Sequence, residues 1–143
     1  MRVDAGEGDF EDRVRASFAR QAVMETIGAA LTRVEAGAVE IELPFDARLT
    51  QQRGFLHAGV ITTVLDSACG YAAYSLMQPG AEVLAIEFKV NFLAPAVGEK
   101  FIARARVIRA GRTITVCQAD GIMLRDGEER HVAAMVGTMM AVR

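Results

Sequence analysis

The chain of 143 residues has no tryptophan, two histidines, two cysteines and three prolines. His57 and His131 are too few and too scattered to suggest a zinc site, which draws several N or S ligands from short spacings. Cys69 and Cys117 fit no CxxC or metal spacing and fall inside apolar runs, so both read as free thiols of a reducing compartment, and the expected location is cytoplasmic. Excess positive charge is also missing. Sixteen basic against 18 acidic side chains leave a net charge of −2, which excludes the basic face that nucleic-acid binding requires. The opening stretch MRVDAGEGDFEDR carries no apolar run and so no secretory signal. What remains is an ordinary balance, 52% hydrophobic and 24% charged, of a length that fits one domain over residues 1–143.

The few prolines and the glycines punctuate a readable order of elements. Asp9 is placed to cap a first helix, with Phe10, Val14 and Phe18 on one face and Glu11, Arg13, Arg15 and Arg20 elsewhere. Residues 29–33 suit a short strand and Gly37 a turn. In residues 38–43, Val39, Ile41 and Leu43 alternate with Glu40 and Glu42 up to Pro44. A polar loop over 45–57 precedes a long helix over 58–77, stopped by Gln78-Pro79-Gly80. The period then becomes two: Ile86, Phe88, Val90 and Phe92 alternate with Glu87, Lys89 and Asn91. Strands over 101–109, 113–124 and 131–142 follow, separated by Ala110-Gly111 and Asp126-Gly127 turns. The last four strands read as an antiparallel meander, without repeats or linkers.

Asp66 is the only formally charged side chain between Ala58 and Ala81. A helix this apolar is buried on most faces, and burying a carboxylate is costly unless it is paired or at work. The segment is long enough to span a bilayer, but a central Asp costs ~2.5–3.5 kcal/mol on insertion scales. Hydroxyls at Thr62, Thr63, Ser67 and Ser75 argue the same way, so the helix belongs to a core, not a membrane. A strongly curved antiparallel sheet wrapped around one long helix would bury it, an α+β architecture.

The segment QQRGFLHAGVITTVLDSACGYAA resembles the signature of hotdog-fold acyl-CoA thioesterases of the phenylacetyl-CoA-pathway (PaaI) type: an Asn or Gln, then HGG, then an acid on the helix. EFKVNFLAPAVGEKFIARARVIRAGR resembles that family's central strand pair, and the likeness covers residues 18–142, leaving 1–17 as an N-terminal helical extension. The resemblance implies a hotdog fold and hydrolysis of an acyl-CoA thioester, with no metal and no cofactor beyond the coenzyme A of the substrate. Asp66 is then nucleophile or general base. The backbone N–H groups of Ala58 and Gly59 at the helix start polarise the thioester carbonyl, aided by the helix dipole. Gln51 stands at the family's Asn/Gln place, to donate to the carbonyl or hold water, with Gln52 beside it as a competing assignment. His57 reads as a structural residue, with general base as its other role, and Gly54 as the pivot of a tight loop. Some relatives carry a Ser or Thr one turn beyond the acid to position water; here that place is Gly70, which leaves Thr62, Thr63 or Ser67 to supply a hydroxyl. Among Arg104, Arg106, Arg109 and Arg112, the last two are candidates for the coenzyme A phosphates, against solvated strand charge balanced by Glu87 and Glu99. The methionines, Met139 and Met140 included, read as core filling.

Ala58 and Asp66 lie eight residues apart, so about 12 Å separates them along one helix. One thioester carbon cannot touch both. Either the two groups serve different purposes or the site pairs two antiparallel helices from two subunits, and the resemblance implies the second: an obligate homo-oligomer, a dimer at least, with a tetramer as the larger possibility. Two other functions fit a hotdog domain: a hydratase or dehydratase of acyl thioesters, using His57 with Asp66, and a non-catalytic acyl-CoA-binding protein.

Overall fold

The computed structural model of the protein describes residues 9–143. Three helices, α1 (Asp9–Ala19), α2 (Ala22–Ile27) and α3 (Ala58–Tyr74), accompany six strands: β1 (Ala30–Glu35), β2 (Ala38–Pro44), β3 (Glu82–Phe92), β4 (Lys100–Ala110), β5 (Ile114–Arg125) and β6 (Glu128–Val142). The strands form one antiparallel sheet in the order β1-β2-β4-β5-β6-β3. α3 lies in its concave face. Val64, Leu65, Ala68, Cys69, Ala72 and Ala73 of α3 are fully buried, against Ile41 and Leu43 of β2, Phe101 of β4 and Met123, Met135 and Met139 of β5 and β6. Each of the larger ones, Val, Leu, Ile, Phe or Met, taken from water contributes about 1.5–3 kcal/mol. The hotdog architecture is the one the lone long helix required.

Four details depart from the reading of the sequence. Asp9 is the first residue of α1, not the residue before it. α2 was not foreseen, being six residues long and too short to show a period. α3 ends at Tyr74, where Ser75 closes it: its hydroxyl donates to Ala72 O at 2.7 Å and accepts from Gly37 N at 2.8 Å. Met139 is buried in the core, whereas Met140 points outward and is 36% exposed.

The larger correction concerns the meander, which holds three strands, β4-β5-β6, not four. β3 pairs with β6 at the far edge, so β3 and β4 are not a central pair. Alternation reveals a strand but not its neighbour. Residues 93–99 carry the chain back across the strand ends: Leu93 N bonds Val132 O of β6, Glu99 N bonds Leu124 O of β5, and Phe45 N beyond β2 bonds Glu99 O. Three strand spacings, about 14 Å, are well within the reach of seven extended residues. The outer edge of β3 has no strand partner among the described residues, and Leu84, Ile86 and Phe88 along it are 57%, 51% and 42% exposed. No described helix is long and apolar enough to cross a membrane.

The N-terminal helices α1 and α2 pack against the rest of the described chain. Val14 and Met24 are buried, and the Phe18 ring meets Tyr71 of α3 edge-on at 5.8 Å. Arg13 lies 5.7 Å over the Tyr74 ring and donates to Met77 O at 3.4 Å, just past the end of α3.

Candidate active site

The start of α3 is built by the loop before it. Gln51 N bonds Phe55 O at 2.8 Å, and Gly54, at φ +82, supplies the left-handed conformation that closes this turn. The Gln51 side chain braces the same turn: its Oε1 accepts from Arg53 N and, at 3.3 Å, from Phe55 N. The carbonyl end being occupied, the Nε2 end is the donor that Gln51 can offer. Gln51 lines a cleft of about 410 Å³ with Ala58, Ile61, Phe92 and Pro95. Leu56 N bonds Ala96 O at 2.8 Å and fastens this loop to the crossing segment.

His57 caps α3 with its ring: Nδ1 accepts from Gly59 N at 2.9 Å. A neutral His57 therefore carries its proton on Nε2. This bond corrects the expectation for Gly59, whose N–H is already taken. Val60 N turns back to His57 O at 3.0 Å, so Ala58 is left with the N–H that has no acceptor among the described residues. Thr62 and Thr63 also look to their own helix, donating to Ala58 O and Gly59 O at 2.8 Å each. Their hydroxyl protons are spent, and each keeps only acceptor capacity toward a ligand.

Asp66 faces a second, smaller cleft of about 80 Å³, with Gln21, Ser67, Gly70, Tyr71 and Ala85 around it. Its Oδ1 is buried and has no hydrogen-bond partner among the described residues. Desolvation, with no compensating cation, raises the carboxyl above its ordinary value. Gly70 leaves open space one turn beyond. Gln21, which the sequence reading did not single out, reaches this cleft from the start of α2. Its Oε1 accepts from Ser67 Oγ at 2.7 Å and its Nε2 donates to the Tyr71 hydroxyl at 3.3 Å. No local signal marks it, because its place in this cleft is set by bonds to Ser67 and Tyr71 of α3, far away in sequence.

One chain therefore brings Gln51 and Ala58 together in one place and holds Asp66 in another, about 12 Å along α3. Between them runs the uncovered side of the helix, Gly59, Thr63, Asp66 and Gly70, all small or short side chains. The arginines are elsewhere. Arg104 bonds Glu40 and Glu129, and Arg106 bonds Gln118 and pairs with Asp120, so these and not Glu87 or Glu99 balance the strand charge. Glu87 accepts from Thr138 and Glu99 from Asp126 N. Arg112 lines a cleft of about 650 Å³ with Leu76 and Met77, at the opposite end of α3 from Ala58. Arg109 stands beside a β-bulge of β4, and neither it nor Arg112 has an ion-pair partner among the described residues. Among the described residues, no three His, Cys, Asp or Glu side chains gather in a way that would hold a metal ion.

Comparison with known proteins shows the family and the fold. The family model of the thioesterase superfamily matches residues 53–129, more than half of the chain, from the loop before α3 to the start of β6. A crystal structure of a thioesterase family protein from Silicibacter pomeroyi is 57% identical, covers 93% of this chain and 98% of its own, and superposes with a TM-score of 0.92. The PaaI protein of the Escherichia coli phenylacetic acid degradation operon shares the fold, with a TM-score of 0.86 at 18% identity over 96% of each chain. The medium/long-chain acyl-CoA thioesterase YigI of Escherichia coli K12 is 28% identical over 101 residues, 62% of this chain and 63% of that one. The chain belongs to the thioesterase superfamily and is a thioester hydrolase of the hotdog fold.

Proposed function

We propose that the protein hydrolyses an acyl- or aryl-CoA thioester to the carboxylic acid and free coenzyme A, in a site shared by two copies of the chain. The observation that carries this reading is the division of labour along α3. An N–H without an acceptor among the described residues stands at the helix start, and a half-buried carboxylate, its buried Oδ1 without a partner among them, stands too far along to meet the same thioester carbon. Two α3 helices running antiparallel would bring Ala58 of one copy opposite Asp66 of the other. The small side chains of the uncovered stripe permit that approach, and the unpaired apolar edge of β3 offers the surface to hold it.

In such a site the Ala58 N–H and the positive end of α3 meet the thioester carbonyl oxygen, and the Gln51 amide donates to the same region. Charge developing on that oxygen is stabilised where water is scarce. Asp66 then either attacks the carbon itself or takes a proton from the attacking water, and both routes need the ionised carboxylate. Loss of one oxyanion donor typically lowers the rate ~10²–10³-fold. Neither route calls for a metal or an organic cofactor. The substrate class accords with the names of relatives such as YigI. The test is thiol release from a panel of aryl, short, medium and long acyl-CoAs. Release by wild type, with Asp66→Asn and Asp66→Ala reduced by at least about 10³-fold, supports the reading. Full release by either variant overturns it, and a water adduct on an enoyl-CoA would mark a hydratase instead.

A further inference from the structure

The Asp66 cleft holds one polar group that the reaction as described leaves unused. Gln21 stands at the cap position of α2, yet its side chain makes no capping bond. It turns instead toward α3, where Ser67 and Tyr71, both buried, fix it from two sides: Ser67 Oγ donates to Oε1 at 2.7 Å and Nε2 donates to the Tyr71 hydroxyl at 3.3 Å. Ser17 holds that hydroxyl from a further side at 3.2 Å. An amide nitrogen carries two protons, so Gln21 keeps one N–H to spend. Ser67, by contrast, has committed its only proton to Gln21, and the hydroxyls of Thr62 and Thr63 are bonded within the helix.

We infer that Gln21 is the residue that holds the attacking water against Asp66. The inference rests on the proposed role of Asp66 and selects its water-activating form. The cleft of about 80 Å³ has room for a water, and its lining supplies the partners a held water needs. Gln21 Nε2 donates its remaining proton to the water oxygen, and the water donates to the Asp66 carboxylate. The oxygen lone pair forms the new bond to the thioester carbon as the proton passes to the Asp66 carboxylate. When the tetrahedral intermediate collapses, the C–S bond breaks, the sulfur takes that proton, and the carboxylic acid and the coenzyme A thiol leave. Gln21 touches only the water and acts by orienting it.

The experiment compares wild type, Gln21→Ala, Gln21→Glu, Gly70→Ser and the Gln21→Ala/Gly70→Ser double variant in acyl-CoA hydrolysis, with melting curves for each. Gln21→Ala is expected to lower kcat about 10–100-fold with KM within about twofold, as loss of a positioning contact does. A Cβ at Gly70 would meet no atom of its own chain within 4 Å, so a serine there can bring a hydroxyl to the Asp66 cleft, and the double variant is expected to recover about tenfold of the lost kcat without restoring any bond to Ser67 or Tyr71. A merely structural glutamine would not be rescued in this way. Gln21→Glu keeps an acceptor for Ser67 but sets a second carboxylate in the cleft that Asp66 lines, which moves the acid limb of the kcat/KM profile to higher pH. Wild-type kcat in folded Gln21→Ala, no recovery in the folded double variant, or an unmoved acid limb in Gln21→Glu would each overturn the inference. Asp66→Asn in the same series separates the two levels. If it keeps full activity, the reading of Asp66 fails and this one with it; if it is inactive while Gln21→Ala is not, only the role of Gln21 fails.

Discussion

An unpartnered carboxylate leaves a mark on stability as well as on catalysis. Unfolded, Asp66 titrates at its ordinary value; folded, desolvation places it higher. Below the unfolded pKa both states are protonated and burial of the group has no electrostatic cost. As pH rises through the folded pKa, the native state must carry a poorly solvated charge, and stability falls. Asp66→Asn is therefore expected to melt about 1–3 °C above wild type at pH 7, the gap closing toward pH 4; a lower melting temperature at pH 7 would contradict this. The cysteines report the same physics. Burial pushes the Cys69 thiol well up and Cys117 to about 11, so neither forms appreciable thiolate at pH 8. An aromatic disulfide reagent should find no thiol in the native protein and both in denaturant. Asp66 was legible in the sequence because charge amid apolar residues is conspicuous in one dimension. The commitment of the Gly59 N–H to His57, and the place of Gln21, depend on side-chain direction and on the docking of a six-residue helix, which no periodicity encodes.

At the scale of elements, the alternation of Ile86 to Phe92 and the apolar run after His57 announced β3 and α3, since both periods extend long enough to be read. The neighbour of β3 was not legible. Its inner face suits any antiparallel partner, and the crossing over residues 93–99 is settled by bonds to Val132 and Leu124, far away in sequence. The middle of the sheet is more tightly specified than its edge. A Cβ at Gly121 would stand 2.9 Å from the Phe101 ring and 3.0 Å from Ala133 Cβ, with the ring fully buried against α3. Gly121→Ala is expected to destabilise by about 1–3 kcal/mol through overpacking, measured by urea titration; an unchanged midpoint would show that the β4-β5-β6 centre yields more easily than its packing implies.

For the whole molecule, the decisive question is whether the two halves of the site come from different copies. Ala58 allows a clean removal of its N–H. It is the first residue of α3, where proline is favoured, and His57 at φ −62, ψ 137 already has the extended backbone that a following proline requires. Ala58→Pro should thus keep the helix and the melting temperature while lowering kcat ~10²–10³-fold. Mixed with Asp66→Asn and allowed to exchange subunits, it gives a sharper outcome than either variant alone. In a mixed dimer one site collects both lesions and the other has a native Ala58 facing a native Asp66. Half of the dimers are mixed at equal input, so about a quarter of the wild-type activity should return. If both groups belonged to sites within single chains, no combination would restore any. Recovery of activity from two inactive proteins would tie the half-buried acid, the uncovered stripe of α3 on which it stands and the unpaired edge of β3 to one cause, since each is a feature that a solitary copy has no use for.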